Sequence, residues 1–225
     1  MTATLIGMGH SVGHCLYDAR VNPVVLVPVK AFADAKARLA PALAPHHRAE
    51  LARWTADRVL AAAGELPVFV ACDDDAVAQW AVQHGATVLW HPGIGLNAAV
   101  NHSIEDLRVR GVGHVVVAHG DLPRATALAA TVVPGCLTLV PDSRGDGTNV
   151  ASLPTNTKFR FAYGARSFRR HLAQAIELGL PVSVRHDSLL GIDIDTPSDL
   201  THPLVQEVLP SWLPTNPANP TPPHR

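Results

Sequence analysis

The chain is poor in lysine, aromatic residues and cysteine, and each scarcity removes a class of protein. Its three cysteines, Cys15, Cys72 and Cys136, are odd in number and far apart. No CxxC or Cys/His metal spacing accompanies them, so reduced thiols are expected in place of a disulfide framework or a zinc module. Lysine plus arginine (18) nearly balances aspartate plus glutamate (19), for a formal net charge of −1. That leaves no global basic field to attract nucleic acid or an anionic membrane. Gly7, His10, Gly13 and His14 interrupt the first segment, which also lacks a basic start and a sustained apolar run. It reads as neither a signal peptide nor a membrane span, and the protein is expected in the cytoplasm. GxxxxGK(S/T) and GxGxxG are both missing, which disfavours P-loop NTPases and dinucleotide dehydrogenases. The thirteen histidines are scattered without an HExxH or HxH pair, and none is assigned to catalysis.

What is present fits one compact domain. In 225 residues, 47% are hydrophobic and 16% charged, enough to bury a sizeable core. Continuous apolar runs at Val24–Val27, Val68–Ala71, Thr87–Trp90, Val115–Ala118 and Leu137–Val140 read as strands buried on both faces. Between them lie helical stripes: Leu51, Trp54, Val59 and Ala62; Val77, Trp80 and Ala81; Leu96, Val100, Ile104 and Leu107. Ser167–Leu178 reads as a further helix, Val182–Val184 and Leu189–Ile194 as two more strands, and Pro197 to about Val208 as a last helix with Thr196 as its N-cap. Alternation of this kind predicts an α/β fold, a mostly parallel sheet flanked by helices on both faces. The domain is placed at 23–209, after an N-terminal extension (1–22) and before a disordered proline-rich tail (210–225).

Ligands on such sheets bind beyond the carboxyl ends of the strands. Asp121 stands there, in His119-Gly120-Asp121-Leu122-Pro123. Asp193 and Asp195 flank Ile194 and, on a strand, share one face. Three convergent aspartates without cysteine or histidine suit a hard cation such as Mg²⁺; the plainer alternative makes Asp121 a turn cap and Asp195 a helix cap. Only three lysines occur, and two of them, Lys30 and Lys36, follow the first strand together with Arg38. Such a cluster can neutralise a polyphosphate, the alternative being a solvated basic turn. Gly145, Gly147 and Thr148, after another strand, form either an anion cradle or a surface turn. Ser167, behind Tyr163-Gly164, would N-cap its helix at an end that can hold phosphate or carboxylate. Gly95 and Asn97 open another helix and offer a second contact to an anion or base. Asp73-Asp74-Asp75 reads as a helix cap and first turn.

Taken in order, Val-Pro-Val-Lys with Lys36-Ala-Arg-Leu, Gly-Leu-Asn at 95–97, Asp121-Leu-Pro, Asp146-Gly-Thr-Asn, Tyr-Gly-x-x-Ser-Phe at 163–168 and Asp193-Ile-Asp-Thr-Pro-x-Asp-Leu resemble the guanylyltransferases of coenzyme F-420 biosynthesis. These act on 2-phospho-L-lactate or phosphoenolpyruvate. The resemblance implies a nucleotidyltransferase fold of the GT-A, Rossmann-like type with a Mg²⁺ site. Asp121, Asp193 and Asp195 would be the metal ligands, with Asp121, Lys30 and Lys36 catalytic. Lys30, Lys36, Arg38, Gly95 and Asn97 would contact GTP, and Thr148, Gly164 and Ser167 the phosphorylated acid. The implied partners are GTP and a small phosphorylated carboxylic acid, with a homodimer left open. Two alternatives stand beside this reading: a glycosyltransferase of the same architecture using Asp193-Ile194-Asp195, and a non-catalytic GTP-binding regulator.

Overall fold

A computed structural model describes residues 21–214; most of the expected extension and tail lies outside the described residues. Seven strands form one sheet in the order β3-β2-β1-β4-β6-β5-β7. The central pair, β1 (Pro23–Pro28) and β4 (His114–Ala118), is parallel, and β2 (Val68–Cys72) and β3 (Thr87–Trp90) extend the parallel half beside β1. On the other side β6 (Thr148–Pro154) runs antiparallel between β4 and β5 (Leu137–Pro141), and β7 (Val182–Val184) pairs parallel with β5.

Both faces of the sheet are buried, as the continuous apolar runs require. Val25, Val27, Val116 and Ala118 point into one core layer, under α1 (Pro45–Ala61) and α2 (Asp75–Gln83). Val24, Leu26, Val115 and Val117 point into the other, under α3 (Gly95–Val109) and α4 (Ser167–Glu177). The alternation is the strand period of two acting on both sides at once. Pro45 starts α1 where its missing N–H is no loss, and Asp74 caps α2 by accepting from the Val77 N–H at 2.9 Å.

Four sequence expectations change. Strand β6 has no counterpart among the apolar runs of the sequence, because Thr148, Asn149 and Ser152 break its run although all three are buried. Leu189–Ile194 is not a strand: Asp187 turns the chain by accepting from the Leu189 and Leu190 N–H groups, and the segment beyond joins no ladder. It stays extended enough for Ile192 and Ile194 to point alternately into a third core cluster with Leu39, Leu51, Leu200 and Val205. The last helix is broken into a 3-10 turn, Asp199–Thr201, and one α turn, α5 (Pro203–Gln206). Pro203 holds His202 extended (ψ 130°) and ends the first turn; the cap position belongs to Ser198, not Thr196, with no side-chain cap, and the Asp199 carboxylate accepts from the preceding Asp195 and Thr196 N–H groups. Finally, Leu213 is 3% exposed and packs in the third cluster, so the ordered domain extends past residue 209.

Candidate active site

The loops after β1 and β4 lie side by side because those strands are adjacent and parallel. Between them opens a cleft of about 410 Å³, lined among others by Lys30, Lys36, Arg38, Leu96, His119, Asp121 and Asp195. After β4 the chain leaves the sheet through His119 and Gly120 to Asp121. The extended segment at 192–195 docks beside that loop, with the Ile194 N–H donating to the Asp121 carbonyl at 3.2 Å. Burial of Ile192 and Ile194 turns the alternate residues Asp193 and Asp195 to the opposite side of the segment, beside Asp121. One oxygen from each of Asp121, Asp193 and Asp195 lies within 4.8 Å of the others. The shared face expected of a strand is therefore realised by an unpaired extended segment.

Lys36 is the built-in counter-charge. It adopts a left-handed backbone (φ 56°, ψ 35°) between two 3-10 turns, Phe32–Asp34 and Ala37–Leu39, a strained conformation for a residue with a side chain. Its Nζ donates to Asp121 Oδ2 at 3.1 Å and to the Ile194 carbonyl at 2.6 Å. Asp195 Oδ1 stands 3.8 Å away, and the Lys36 side chain is only 6% exposed. Arg38, by contrast, is largely exposed and pairs with Asp195 at 3.5 Å, and Lys30 is exposed at the cleft edge.

The electrostatics follow from this crowding. Burial opposes ionisation of Asp121, but Lys36 and His119 beside it outweigh that and hold its carboxyl below the ordinary carboxylate range. Asp193 has no such cation. Burial first, then the charges of Asp121, Asp195, Asp142 and Asp199, push it up to about 7. Asp121 Oδ1 is buried without a hydrogen-bond partner.

The expected acceptor residues are placed differently. Ser167 does not cap α4: Arg166, in the left-handed region, occupies the cap position, and Ser167 Oγ accepts from the Thr148 N–H at 3.1 Å. Thr148 Oγ1 lies 3.0 Å from His171 Nδ1, while His171 Nε2 accepts from the Ala162 N–H at 3.0 Å. Nε2 as acceptor puts the ring proton on Nδ1, so the histidine donates to Thr148. Thr148 and Ser167 are thus buried partners of one another, with Gly164 (φ 117°) exposed above them. The anion cradle at 145–148 is a surface turn: Asp142 accepts from the Arg144, Asp146 and Gly147 N–H groups, which are no longer free for a ligand. Asn97 exchanges two hydrogen bonds with the Tyr163 main chain (2.7 and 3.2 Å), and Asn101, one turn on, does the same for Phe161. The pair imitates a strand edge and fixes 161–163 against α3; only part of the Asn97 amide is left for other partners, and Gly95 is exposed at the helix start.

The sequence alone does not single out His119, Tyr163 or His171, which meet one another beside the cleft. A buried histidine has no local signature, and the motif containing Tyr163 directs attention to its glycine and serine.

An α/β sheet of this order with its acidic cluster beyond β4 defines a nucleotidyltransferase-type fold. A solved nucleotidyl transferase from Methanothermobacter shares it at 14% identity and a TM-score of 0.55, over 79% of this chain and 94% of that one. Residues 23–206 match the family described as guanylyl transferase CofC like, and the chain belongs to that family. Phosphoenolpyruvate guanylyltransferase of Sphaerobacter thermophilus is 36% identical over 189 residues, covering 80% of this chain and 91% of that protein. The enzyme of the same name from Rubrobacter xylanophilus is 35% identical over 184 residues, 78% of this chain and 90% of that protein.

Proposed function

We propose that this chain transfers GMP from GTP onto phosphoenolpyruvate with release of pyrophosphate, as a cytoplasmic step of coenzyme F-420 biosynthesis. The observation that carries the reading is the meeting of Lys30, Lys36 and Arg38 with the three aspartates at one cleft. Family membership favours it over a nucleotide-sugar transferase or a non-catalytic GTP binder, and the names of the relatives point to the acceptor.

The three carboxylates fit Mg²⁺: they are hard oxygen donors within reach of one ion, and Asp121 Oδ1 is buried with no other partner. Bound there, Mg²⁺ would offset charge on the phosphoryl oxygens. The chain's own residues do the rest. Lys36 holds Asp121 and Asp195 in place, and Lys30 and Arg38 meet the triphosphate from the cleft edge. The acceptor lies on the Thr148, Gly164 and Ser167 side. Its phosphate, with a second pKa of about 6, is largely dianionic at neutral pH and requires no strong base. One of its oxygens bonds to the α-phosphorus of GTP while the bond from that phosphorus to the bridging oxygen breaks and pyrophosphate leaves. The main obstacle is the meeting of two polyanions, which clustered cations and preorganised donors relieve.

Incubation with GTP, Mg²⁺ and phosphoenolpyruvate should release pyrophosphate and give an adduct of GMP with the acid, read by product mass. An adduct with 2-phospho-L-lactate alone, or none, would overturn the assignment.

A further inference from the structure

The segment at 192–195 carries two of the three site aspartates yet pairs with no strand. Its main chain is held by the Ile194 N–H donating to the Asp121 carbonyl (3.2 Å) and by Lys36 donating to the Ile194 carbonyl (2.6 Å). A further hold comes from residues that do not line the cleft. Asp199 Oδ2 accepts from the Asp195 N–H (2.9 Å), the Thr196 N–H (2.7 Å) and the Thr196 hydroxyl (3.0 Å). Its other oxygen, Oδ1, accepts from the Arg144 guanidinium, 55 residues away in sequence. A serine or asparagine could accept from those N–H groups without bringing a charge. A carboxylate adds one more negative charge to the cluster, and that charge is felt at Asp193. What the carboxylate gains in return is a guanidinium that fixes its orientation.

We infer that Arg144 and Asp199 form a clasp that positions the site aspartates for cation binding; this rests on the cation site in the function proposed above. Both are positioning residues, acting on the aspartates through the backbone of 195–196. Arg144 belongs to the turn that Asp142 shapes between β5 and β6. In the same turn, Asp146 accepts from the Arg166 N–H with its carboxylate (3.0 Å) and from the Phe168 N–H with its carbonyl (3.0 Å). The turn is thereby fixed to the start of α4, and the clasp ties the aspartate segment to the Thr148 and Ser167 side of the site.

The Arg144 side chain is half exposed, whereas that of Asp199 is 13% exposed. An ion pair with one exposed partner adds little to stability. Its effect lies in geometry, because contacts that orient metal ligands change metal affinity by about 10–100-fold. The sign of the effect separates this role from that of a plain surface charge. Removing a cation near a cation site makes the local field more negative, so a merely electrostatic Arg144 would leave its variant binding a divalent cation as tightly as the wild type or more tightly. A positioning Arg144 gives the opposite: weaker binding.

Mn²⁺ alone, titrated into nucleotide-free protein and followed by loss of the free ion's electron paramagnetic resonance signal, tests the clasp. Arg144→Met should raise the Kd for Mn²⁺ about tenfold, with Tm changed by less than about 4 °C. Arg144→Lys, which restores the positive charge, should return to within about threefold of the wild type. Arg108→Met, which breaks an exposed pair with Glu105 on α3, should bind Mn²⁺ like the wild type. In turnover, Arg144→Met should lose about tenfold in kcat while the KM for GTP changes less than about twofold. Folded Arg144→Met that binds Mn²⁺ as tightly as the wild type, or more tightly, overturns the inference, as does an equal loss in Arg108→Met. A wild type that binds no Mn²⁺ overturns the cation site and the clasp together. A wild type that binds Mn²⁺ but forms no phosphoenolpyruvate adduct overturns the proposed reaction and leaves the clasp to be judged on the Mn²⁺ affinities of its variants.

Discussion

Replacing Lys36 by methionine keeps most of the side-chain stem and removes one charge. If Lys36 simply faced a triphosphate, as its place beyond the first strand led one to expect, the free protein would melt unchanged. Its actual surroundings argue otherwise. At 3.1 Å from Asp121 Oδ2, with an effective dielectric near 20, the gross attraction is about 5 kcal/mol. Removing one partner of a fully buried pair costs about 3–5 kcal/mol, since the other charge is stranded. Here Asp121 and Asp195 retain 24% and 39% side-chain exposure, and Arg38 still stands 3.5 Å from Asp195. Water and that guanidinium absorb part of the loss, leaving a net cost of about 2 kcal/mol. For a domain of this size that lowers Tm by about 4–8 °C. Thermal melts without divalent cations should show the drop, and excess Mg²⁺ should narrow the gap by supplying the missing positive charge. Turnover should fall at least about tenfold as Asp121 and Asp195 lose their shared anchor. A variant that melts like the wild type without metal and turns over normally would refute the buried counter-charge.

Asp193→Asn should fold yet lose most Mg²⁺-dependent turnover, because a neutral amide is a poor ligand for a hard cation. Its stability should carry a definite pH signature. With its folded pKa raised from 3.8 to about 7, chiefly by burial and then by neighbouring carboxylates, Asp193 holds a proton that the unfolded chain releases, so stability is lost as pH rises from about 4 to 7. Metal-free Asp193→Asn should therefore exceed the wild type by about 2–4 kcal/mol at pH 8 and lose that margin near pH 4; a pH-independent difference in urea denaturation would contradict this. His114 works in the opposite direction. Burial lowers it to about 4, so its contribution is complete above pH 6.5 and is lost as pH falls towards 4, about 2 kcal/mol by pH 5. His114→Gln, which can keep the bond to Ser152 Oγ (2.8 Å in the native pair), should lose about 2 kcal/mol less than the wild type between pH 7 and pH 5. Equal losses would exclude this role.

Which parts of this molecule could be read in advance depends on how far each residue's partners lie along the chain. Strands β1 and β4 were legible because a strand covered on both faces needs an unbroken apolar run, and Val24–Val27 and Val115–Ala118 supply it. Strand β6 is just as buried but shows no such run. Its polar residues are satisfied by groups far off in sequence: Asn149 by the Leu190 carbonyl, Ser152 by His114 and Thr148 by His171. Nothing local announces that those partners exist. The sequence puts Asp193 and Asp195 on one face by way of a strand that does not form. They share that face nonetheless, because burial of Ile192 and Ile194 imposes the same alternation on any extended segment.

Charge type was legible where charge pairing was not. Three aspartates and three cations at strand ends were evident as chemistry, but Lys36 reaches partners 85 and 158 residues away. The left-handed turn that takes it there has no glycine to advertise it. The same holds for Ser167 and Asp142, whose bonding capacity goes to the Thr148 N–H and to N–H groups of the chain's own turn. Side chains that hold the site in shape therefore resemble, in sequence, side chains that hold a ligand. The distinguishing property is an unmet hydrogen bond after folding, and by that measure Asp121, His119 and Tyr163 differ from Lys36, Thr148 and Ser167. The second group maintains the geometry, and the first keeps bonding capacity that the folded chain itself does not use.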